Sequence, residues 1–515
     1  MEEASAFDKL PDELVEQIFD KLRLDARKTA SQVCRRWSEI AFSKRFLKHV
    51  TLKIRFDGHS GDLGPVLENS CRSYRNMTVS IYGDFEHVVP NAMIKFASSL
   101  ESLLFLRYTT SNDLIHSVEY LRAFLNGLYS LYNLKELRLE IPFFYDVEAE
   151  NIDRSAFRPL SNLENLYIGY ATMEDICYNW PEIAPKVKHL YFSNGFICKT
   201  FYETVSFYSN QLESFGTTSV FPAQYFTGFD ASISFPRVRK LSIVHRKLPS
   251  LEHFEGFINR FTNLLALVLA FSVISEMLTL CVNKFPLLEY VAFYEKIPEE
   301  TYPLLSKLPK LRHLKLSEIS IECASGIHRC GTFKNLRHLT LDAYCGEATD
   351  IDKFFETLAH EAPHLERLEV VGRDSDDMMP AICKNFPKLR KLAMDYTRQN
   401  LCHSFLQQLT QLEELRINST DFEWNQMHCP SIRTLFLELH KSQFNEHHQQ
   451  WNEIGSCLPS LKTLELTFSL SEEQTTRLQS TMPSGCHIIT NSRNQLFESD
   501  LVDINRQAED WLHNA

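Results

Sequence analysis

Large apolar side chains recur along this chain in one short phrase, apolar-x-x-apolar-x-apolar. It reads Leu100/Leu103/Phe105, Leu134/Leu137/Leu139, Leu163/Leu166/Ile168, Val187/Leu190/Phe192, Val238/Leu241/Ile243, Leu264/Leu267/Leu269 and Leu288/Val291/Phe293. It continues through Leu311/Leu314/Leu316, Leu336/Leu339/Leu341, Leu365/Leu368/Val370, Leu389/Leu392/Met394, Leu412/Leu415/Ile417 and Ile432/Leu435/Leu437 to Leu461/Leu464/Leu466. Weaker copies begin at Tyr74 and Leu212, and successive copies start 20 to 34 residues apart. The alternating last two positions predict a short strand with one apolar face. Between strands, Phe354-Phe355-x-x-Leu358 and Phe405-Leu406-x-x-Leu409 have helical spacing. Proline often follows the helical part directly, as at Phe285-Pro286, Leu308-Pro309, Ala362-Pro363, Phe386-Pro387, Cys429-Pro430 and Leu458-Pro459. It cannot continue a helix, and it biases the residue before it toward extended backbone. The longest step, after Leu100, contains Val118–Leu125, which predicts a longer helix.

A period in the mid-twenties with L-x-x-L-x-L is the leucine-rich-repeat signature. One such unit cannot bury its apolar face alone; stacked units form a continuous core. The predicted fold is therefore α/β, a leucine-rich-repeat solenoid of about 15–16 units over residues 50–490. It is expected as a curved horseshoe with parallel strands on the concave face and helices on the convex face. Residues 491–515, with Leu496, Leu501, Ile504 and Trp511 among polar residues, are expected to cap the last unit or to form a tail. A set of ordinary leucine-rich helices would not place Pro or Asn so regularly before the phrase.

Residues 1–49 lack the repeat. Pro11 suits a first helical position, and Leu14, Val15, Ile18, Phe19 and Leu22 follow as one apolar stripe. A second stripe runs Ala26, Ala30, Val33, Cys34, Trp37, Ile40 and Ala41, and a short segment carries Phe42, Phe46 and Leu47. This predicts a three-helix module too small to bury much core alone, one that leans on a partner or a neighbouring domain.

Leu10-Pro11-Asp12-Glu13-Leu14, Ile18-Phe19, Leu22 and Val33-Cys34-Arg35-Arg36-Trp37 resemble an F-box over nearly all of residues 7–47. With the repeats behind it, the chain is similar to the F-box/leucine-rich-repeat family. The resemblance implies a substrate receptor of Skp–cullin–F-box ubiquitin ligases, in which the F-box docks a Skp-type adaptor on a cullin scaffold with its RING subunit. By position, Leu10, Pro11, Leu14, Ile18, Phe19, Leu22, Val33, Cys34 and Trp37 would then supply the adaptor-facing and core contacts. Arg27-Lys28 stands where the family often has a leucine pair, and Leu47 where it often has tryptophan. Both departures trim apolar contact. The plainer alternative makes residues 1–49 a cap on the solenoid, since repeat arrays need capping.

Composition narrows the function classes. The 515 residues carry a formal net charge of −12, which argues against non-specific binding to nucleic acid or anionic membrane. The acidic start resembles no secretory signal. The longest apolar run, Leu264 to Ile274, falls short of the ~20 residues of a membrane span. The thirteen cysteines include no Cys-x-x-Cys pair and read as reduced, mostly buried small hydrophobes in a cytoplasmic or nuclear protein. No phosphate loop, nucleophile elbow or His-Glu-x-x-His motif occurs. His447-His448 and Cys402-His403 lack companion ligands. The expectation is a protein without catalytic residues, metal or cofactor, and without nucleic-acid or membrane partners.

The informative surface is the solvent face of the predicted sheet. One column reads Lys240, Ala266, Tyr290, His313, His338, Arg367, Lys391. From His313 to Lys391 its basic members fall on consecutive strands ~5 Å apart, a ladder suited to an anionic segment or a phosphate. Just past the strands lie Asp342, Asp374, Asp376, Asp377 and Asp395, a candidate rim for a basic partner. Carboxylates also suit helix N-termini, and Lys188, Arg239, Arg312, Arg337, Arg390 and Arg433 would suit the preceding helix C-termini. Three functions stay open: a ubiquitin-ligase substrate receptor, a repeat scaffold acting outside the ubiquitin system, and an enzyme or cofactor-dependent sensor.

Overall fold

The computed structural model describes residues 10–22, 24–48, 50–56, 66–67, 69–70, 72–82, 88–108, 118–140, 158–169, 180–193, 199–219, 228–245, 249–320, 332–344, 351–371, 378–395, 403–418, 428–438, 450–468 and 470–490. They fall into two compact units, Met1–Phe235 and Pro236–Ala515. The N-terminal helical module belongs to the first. Asp374, Asp376, Asp377, Cys402, His447, His448 and the segment 491–515 lie outside the described residues.

In the first unit, helices α1 (Asp12–Asp20), α2 (Leu24–Ala30), α3 (Arg35–Ala41) and α4 (Lys44–Leu47) come first. Strands β1 (Thr51–Phe56), β2 (Asn76–Tyr82), β3 (Ser102–Tyr108), β4 (Glu136–Glu140), β5 (Asn165–Gly169), β6 (His189–Ser193) and β7 (Ser214–Ser219) follow, each parallel to the next. The long step contains a helix, Val118–Tyr129, extending the predicted one by a turn.

The second unit repeats the pattern. Its strands are β8 (Lys240–His245), β9 (Ala266–Ala270), β10 (Tyr290–Phe293), β11 (His313–Ser320), β12 (His338–Tyr344), β13 (Arg367–Val371), β14 (Lys391–Asp395), β15 (Glu414–Asn418), β16 (Thr434–Glu438), β17 (Thr463–Leu466) and β18 (His487–Ile489). Each pairs in parallel with its successor. Such long parallel ladders are compatible with a solenoid. The repeat phrase does not announce β1 or β18. At β18 only Ile488 carries the inward apolar role.

The phrase explains the packing. Its alternating residues, such as Leu314 and Leu316 or Leu368 and Val370, are buried on one sheet face. Helix residues close that face; Phe354, Phe355 and Leu358 of Ile351–Glu361 are buried as their spacing predicts. Phe355 meets Phe386 of the next unit edge-on, with ring centroids 6.3 Å apart. Each such side chain contributes about 1.5–3 kcal/mol on burial. Leu406 and Leu409 are buried too; Leu406 lies in a 3-10 helix, His403–Gln408, which ends one residue before Leu409.

Polar bonds fix the stacking distance. The carbonyl just ahead of a strand accepts two consecutive N–H groups from the next unit. Arg75 O takes Glu101 N and Ser102 N at 2.7 and 3.0 Å, and Arg312 O takes Arg337 N and His338 N at 2.8 and 2.9 Å. The asparagine before the phrase also reaches back one unit. Asn133 Nδ2 donates to Ser98 O (2.9 Å), Asn162 to Tyr132 O (3.0 Å), Asn263 to Pro236 O (3.0 Å) and Asn335 to Pro309 O (2.6 Å). Asparagine recurs before leucine because its amide satisfies a carbonyl that the turn leaves over.

The basic residues just ahead of the strands also find carboxylates. Several pair with glutamates one unit away: Lys188 with Glu164 at 2.8 Å, Arg337 with Glu366 at 3.1 Å, Arg390 with Glu413 at 3.0 Å. These pairs are exposed, so each is worth about 0–1 kcal/mol.

Gly216 is among the glycines required by close approach. Gly216 of β7 lies beside Tyr191 of β6, and a Cβ there would come within 2.2 Å of the Tyr191 ring. Gly216→Ala is expected to destabilise the chain by about 1–3 kcal/mol through overpacking. In a Tyr191→Ala background the same Gly216→Ala change should cost little further in thermal unfolding; an equal further cost would place the strain elsewhere.

Candidate protein-docking surfaces

The helical module has a small core of its own. Val15, Phe19, Ile40, Ala41 and Phe46 are buried together, with Leu10, Leu22, Ala30, Trp37 and Phe42 packed around them. Phe19 meets Trp37 edge-on at 5.6 Å and Phe46 at 6.2 Å. The second predicted stripe is not one helix. It breaks at 31–34, where Ser31 Oγ donates to Lys28 O (2.6 Å) and Cys34 is extended at φ −157°, ψ 166°. The module therefore has four helical segments, not three. Pro11 sits one residue ahead of α1 rather than inside it, and its carbonyl accepts Leu14 N and Val15 N at 3.1 and 3.2 Å.

Ion pairs lock the helices. Arg36 joins α3 to Asp12 of α1 at 2.6 Å, and Arg45 of α4 joins Glu16 of α1 at 2.8 Å. Arg27, which departs from the family pattern, lies over the Phe46 ring at 5.1 Å and donates to Phe46 O at 3.4 Å. Its aliphatic stem covers part of what a leucine would. Leu47 is buried.

The nine sequence-predicted residues thus separate. Phe19 is sealed in the core and offers nothing to a partner. Leu10, Leu22 and Trp37 are half-buried against that core, and Cys34 is half-buried at the start of α3. Leu14 is 43% exposed, Ile18 45% and Val33 66%, and Pro11 is exposed beside them in sequence. Leu14 and Ile18, four apart, share one face of α1. Among the described residues of the module, they and Val33 are the large hydrophobic side chains that stay exposed.

The second candidate surface is the other face of the sheet in the second unit. Register sets Lys240, Ala266, Tyr290, His313, His338, Arg367 and Lys391 side by side, as the column was read. Their exposure corrects the idea of a uniform basic ladder. Tyr290 and His313 are buried, Lys240 and His338 are half-buried, and only Lys391 is exposed. His313 stacks on His338 with ring centroids 3.8 Å apart and meets Tyr290 edge-on at 4.5 Å. Tyr290 and the same-face residues Ala266, Val268 and Ala292 form a buried cluster, with Tyr294 packed against it.

Two carboxylates absent from the predicted site sit among these cations. Glu369 of β13 contacts Arg367 and lies 3.4 Å from His338 Nε2, and Thr340 Oγ1 donates to it at 3.1 Å. Burial would raise the Glu369 carboxyl, but Arg367 and then the nearby His338 outweigh it and hold it well below the usual range. Glu414 of β15 takes Lys391 Nζ at 2.9 Å and Arg416 Nε at 2.8 Å. Burial opposes its charge as well, and these two cations outweigh it and lower it. Nearby, Lys315 Nζ sits 4.0 Å from the Tyr294 ring centre, and burial brings it down to about 8. Of the acidic rim, Asp342 is half-buried at the far end of β12, and Asp395 ends β14.

Burial, and then the neighbouring His338, hold His313 well below the ordinary imidazole value of 6.5; burial lowers His338 too, against the pull of Glu369. Arg367 and Lys315 face His313 with the same sign of effect. The unfolded chain therefore gains protons below that value while the folded chain resists them. Stability from these neutral rings is full above the unfolded value and lost as pH falls through it toward the folded one. The melting temperature is expected to drop between about pH 7.5 and about pH 5.5, less steeply in His313→Phe. Parallel curves would assign the drop to other groups.

Among the described residues no helix is long and apolar enough to cross a membrane, and no group of three or more His, Cys, Asp or Glu could hold a metal ion. Cys281, Cys383 and Cys429 are free, and burial pushes each thiol up to about 12. No curated protein matches the chain in sequence. Residues 7–53 match the F-box-like family, over the same four helices that leave Leu14, Ile18 and Val33 uncovered, so this chain carries an F-box-like domain.

Proposed function

We propose that the chain is the substrate-recognition subunit of a Skp–cullin–F-box ubiquitin ligase. The F-box-like domain docks a Skp-type adaptor, and through it the cullin scaffold and RING subunit. The leucine-rich repeats bind a protein substrate for ubiquitination and degradation. The chain itself supplies recognition and no catalytic group, and it works in the cytoplasm or nucleus.

One observation carries this reading. The F-box-like match at residues 7–53 falls on a module whose Leu14, Ile18 and Val33 remain exposed around a packed core. Exposed apolar side chains rimmed by charged groups mark protein interaction sites. A mere cap would turn them toward the stack.

Co-purification of the full chain with a Skp-type adaptor tests the proposal. Capture by the intact chain and loss on substitution of the exposed residues support it. An intact chain that captures no adaptor leaves only the repeat scaffold.

A further inference from the structure

We propose that the Lys315 side-chain amine is an acylation site, one that takes an acyl group directly from a small thioester. This goes beyond the receptor reading and stands without it. Lys315 lies mid-strand on the second sheet face, between Ala292 of β10 and Thr340 of β12 in register. Three cations of that face hold carboxylates: Arg367 contacts Glu369, and Lys391 and Arg416 both reach Glu414. Lys315 does not. Among the described residues no carboxylate stands within ion-pair distance of its Nζ, and Asp342 and Glu369 act on it only from further off. The Nζ rests instead on the Tyr294 ring, 4.0 Å from its centre, and the side chain is half-buried.

Removal from water favours the neutral amine and outweighs the pull of Glu369 and Asp342, which brings Lys315 down to about 8. The Tyr294 face also favours the ammonium. The charged form therefore stays the majority near neutral pH, with a neutral share far above that of an ordinary lysine. The neutral lone pair attacks the thioester carbonyl. The C–N bond forms, the C–S bond breaks, and the thiolate leaves with the proton that the amine gives up. The surroundings select the product. An amide is uncharged and relieves the burial of charge. A carbamate made with carbon dioxide would place a further negative charge near Asp342 and Glu369, and an iminium made with an aldehyde would keep the buried positive one. Acylation also removes a cation that faces those two carboxylates, so the sheet face becomes more acidic by one charge.

The test uses the purified full chain, S-acetyl-N-acetylcysteamine as acyl donor, and peptide mass spectrometry to follow each lysine. At about pH 7.5 Lys315 is expected to acetylate at least about tenfold faster than the exposed Lys307 and Lys310. Its rate should level off above about pH 8, whereas that of an ordinary exposed lysine climbs toward pH 10. In urea the preference should vanish, because the fold creates it. Acetylation of Lys315 no faster than that of Lys307 and Lys310 would overturn the proposal, and so would a preference that survives urea.

Discussion

Ile18→Asp is expected to abolish adaptor capture while leaving thermal unfolding almost unchanged. Ile18 is 45% exposed and Leu14, one turn earlier on α1, is 43% exposed. Substitutions at such surface positions usually change stability by within about 0.5 kcal/mol. At a partner's interface the same carboxylate would be buried without a counter-charge. Apolar anchors of this kind are worth about 2–4 kcal/mol of binding, or roughly 30- to 1000-fold in affinity. Leu14→Asp should behave alike, and the double variant should show no capture at all. The two readouts are pull-down with a Skp-type adaptor and differential scanning calorimetry. Retained capture in the double variant, with the module folded, would remove α1 from the interface.

Phe19→Ala is expected to fail differently. Phe19 is buried between Trp37 and Phe46 at the centre of the module. Truncating a buried phenylalanine costs about 3–5 kcal/mol, which a four-segment module with so small a core cannot absorb. Capture should be lost together with protection of the α1 amides in hydrogen exchange, whereas strands β8–β18 should keep theirs. If Phe19→Ala lost capture with α1 still protected, Phe19 would be touching the partner directly. The contrast with Ile18 is the sharper test, because adjacent residues on one helix then separate binding from folding. Trp37→Ala is less informative, since Trp37 packs on that same core and mixes both effects.

Much of the architecture was legible before any coordinates. The phrase Leu-x-x-Leu-x-Leu located β2 to β17, since a strand buried on one face by its neighbours must repeat its apolar pattern. The prolines and asparagines before the phrase marked where helices stop, and the Asn133, Asn162, Asn263 and Asn335 amides give the reason. The ends of the ladder were less legible. At β1 and β18 the phrase is weakened, and the break at 31–34 depends on the local bonds of Ser31 and the extended Cys34.

The candidate sites were legible only in part. The register of the row from Lys240 to Lys391 was legible, because parallel pairing follows from the repeat. Its charge was not. Glu369, Glu414 and Arg416 are not in that column, although Glu369 stands two residues from Arg367, Glu414 directly beside Lys391 and Arg416 two residues from Glu414, all on the same face. The signal was the period of two, applied to a second row.

What the sequence determines alone is periodicity: which residues face the core, where helices stop, and that residues 7–53 form an F-box-like domain. What tertiary structure decides is exposure and pairing. Ile18 and Phe19 are neighbours with the same apolar character, yet one meets water and the other meets Trp37 and Phe46. Likewise Arg367 and Lys391 read as bare cations until packing sets Glu369 and Glu414 beneath them. Solvation and Coulomb energy depend on distances through space, and those distances are set by strands and helices that lie far apart along the chain.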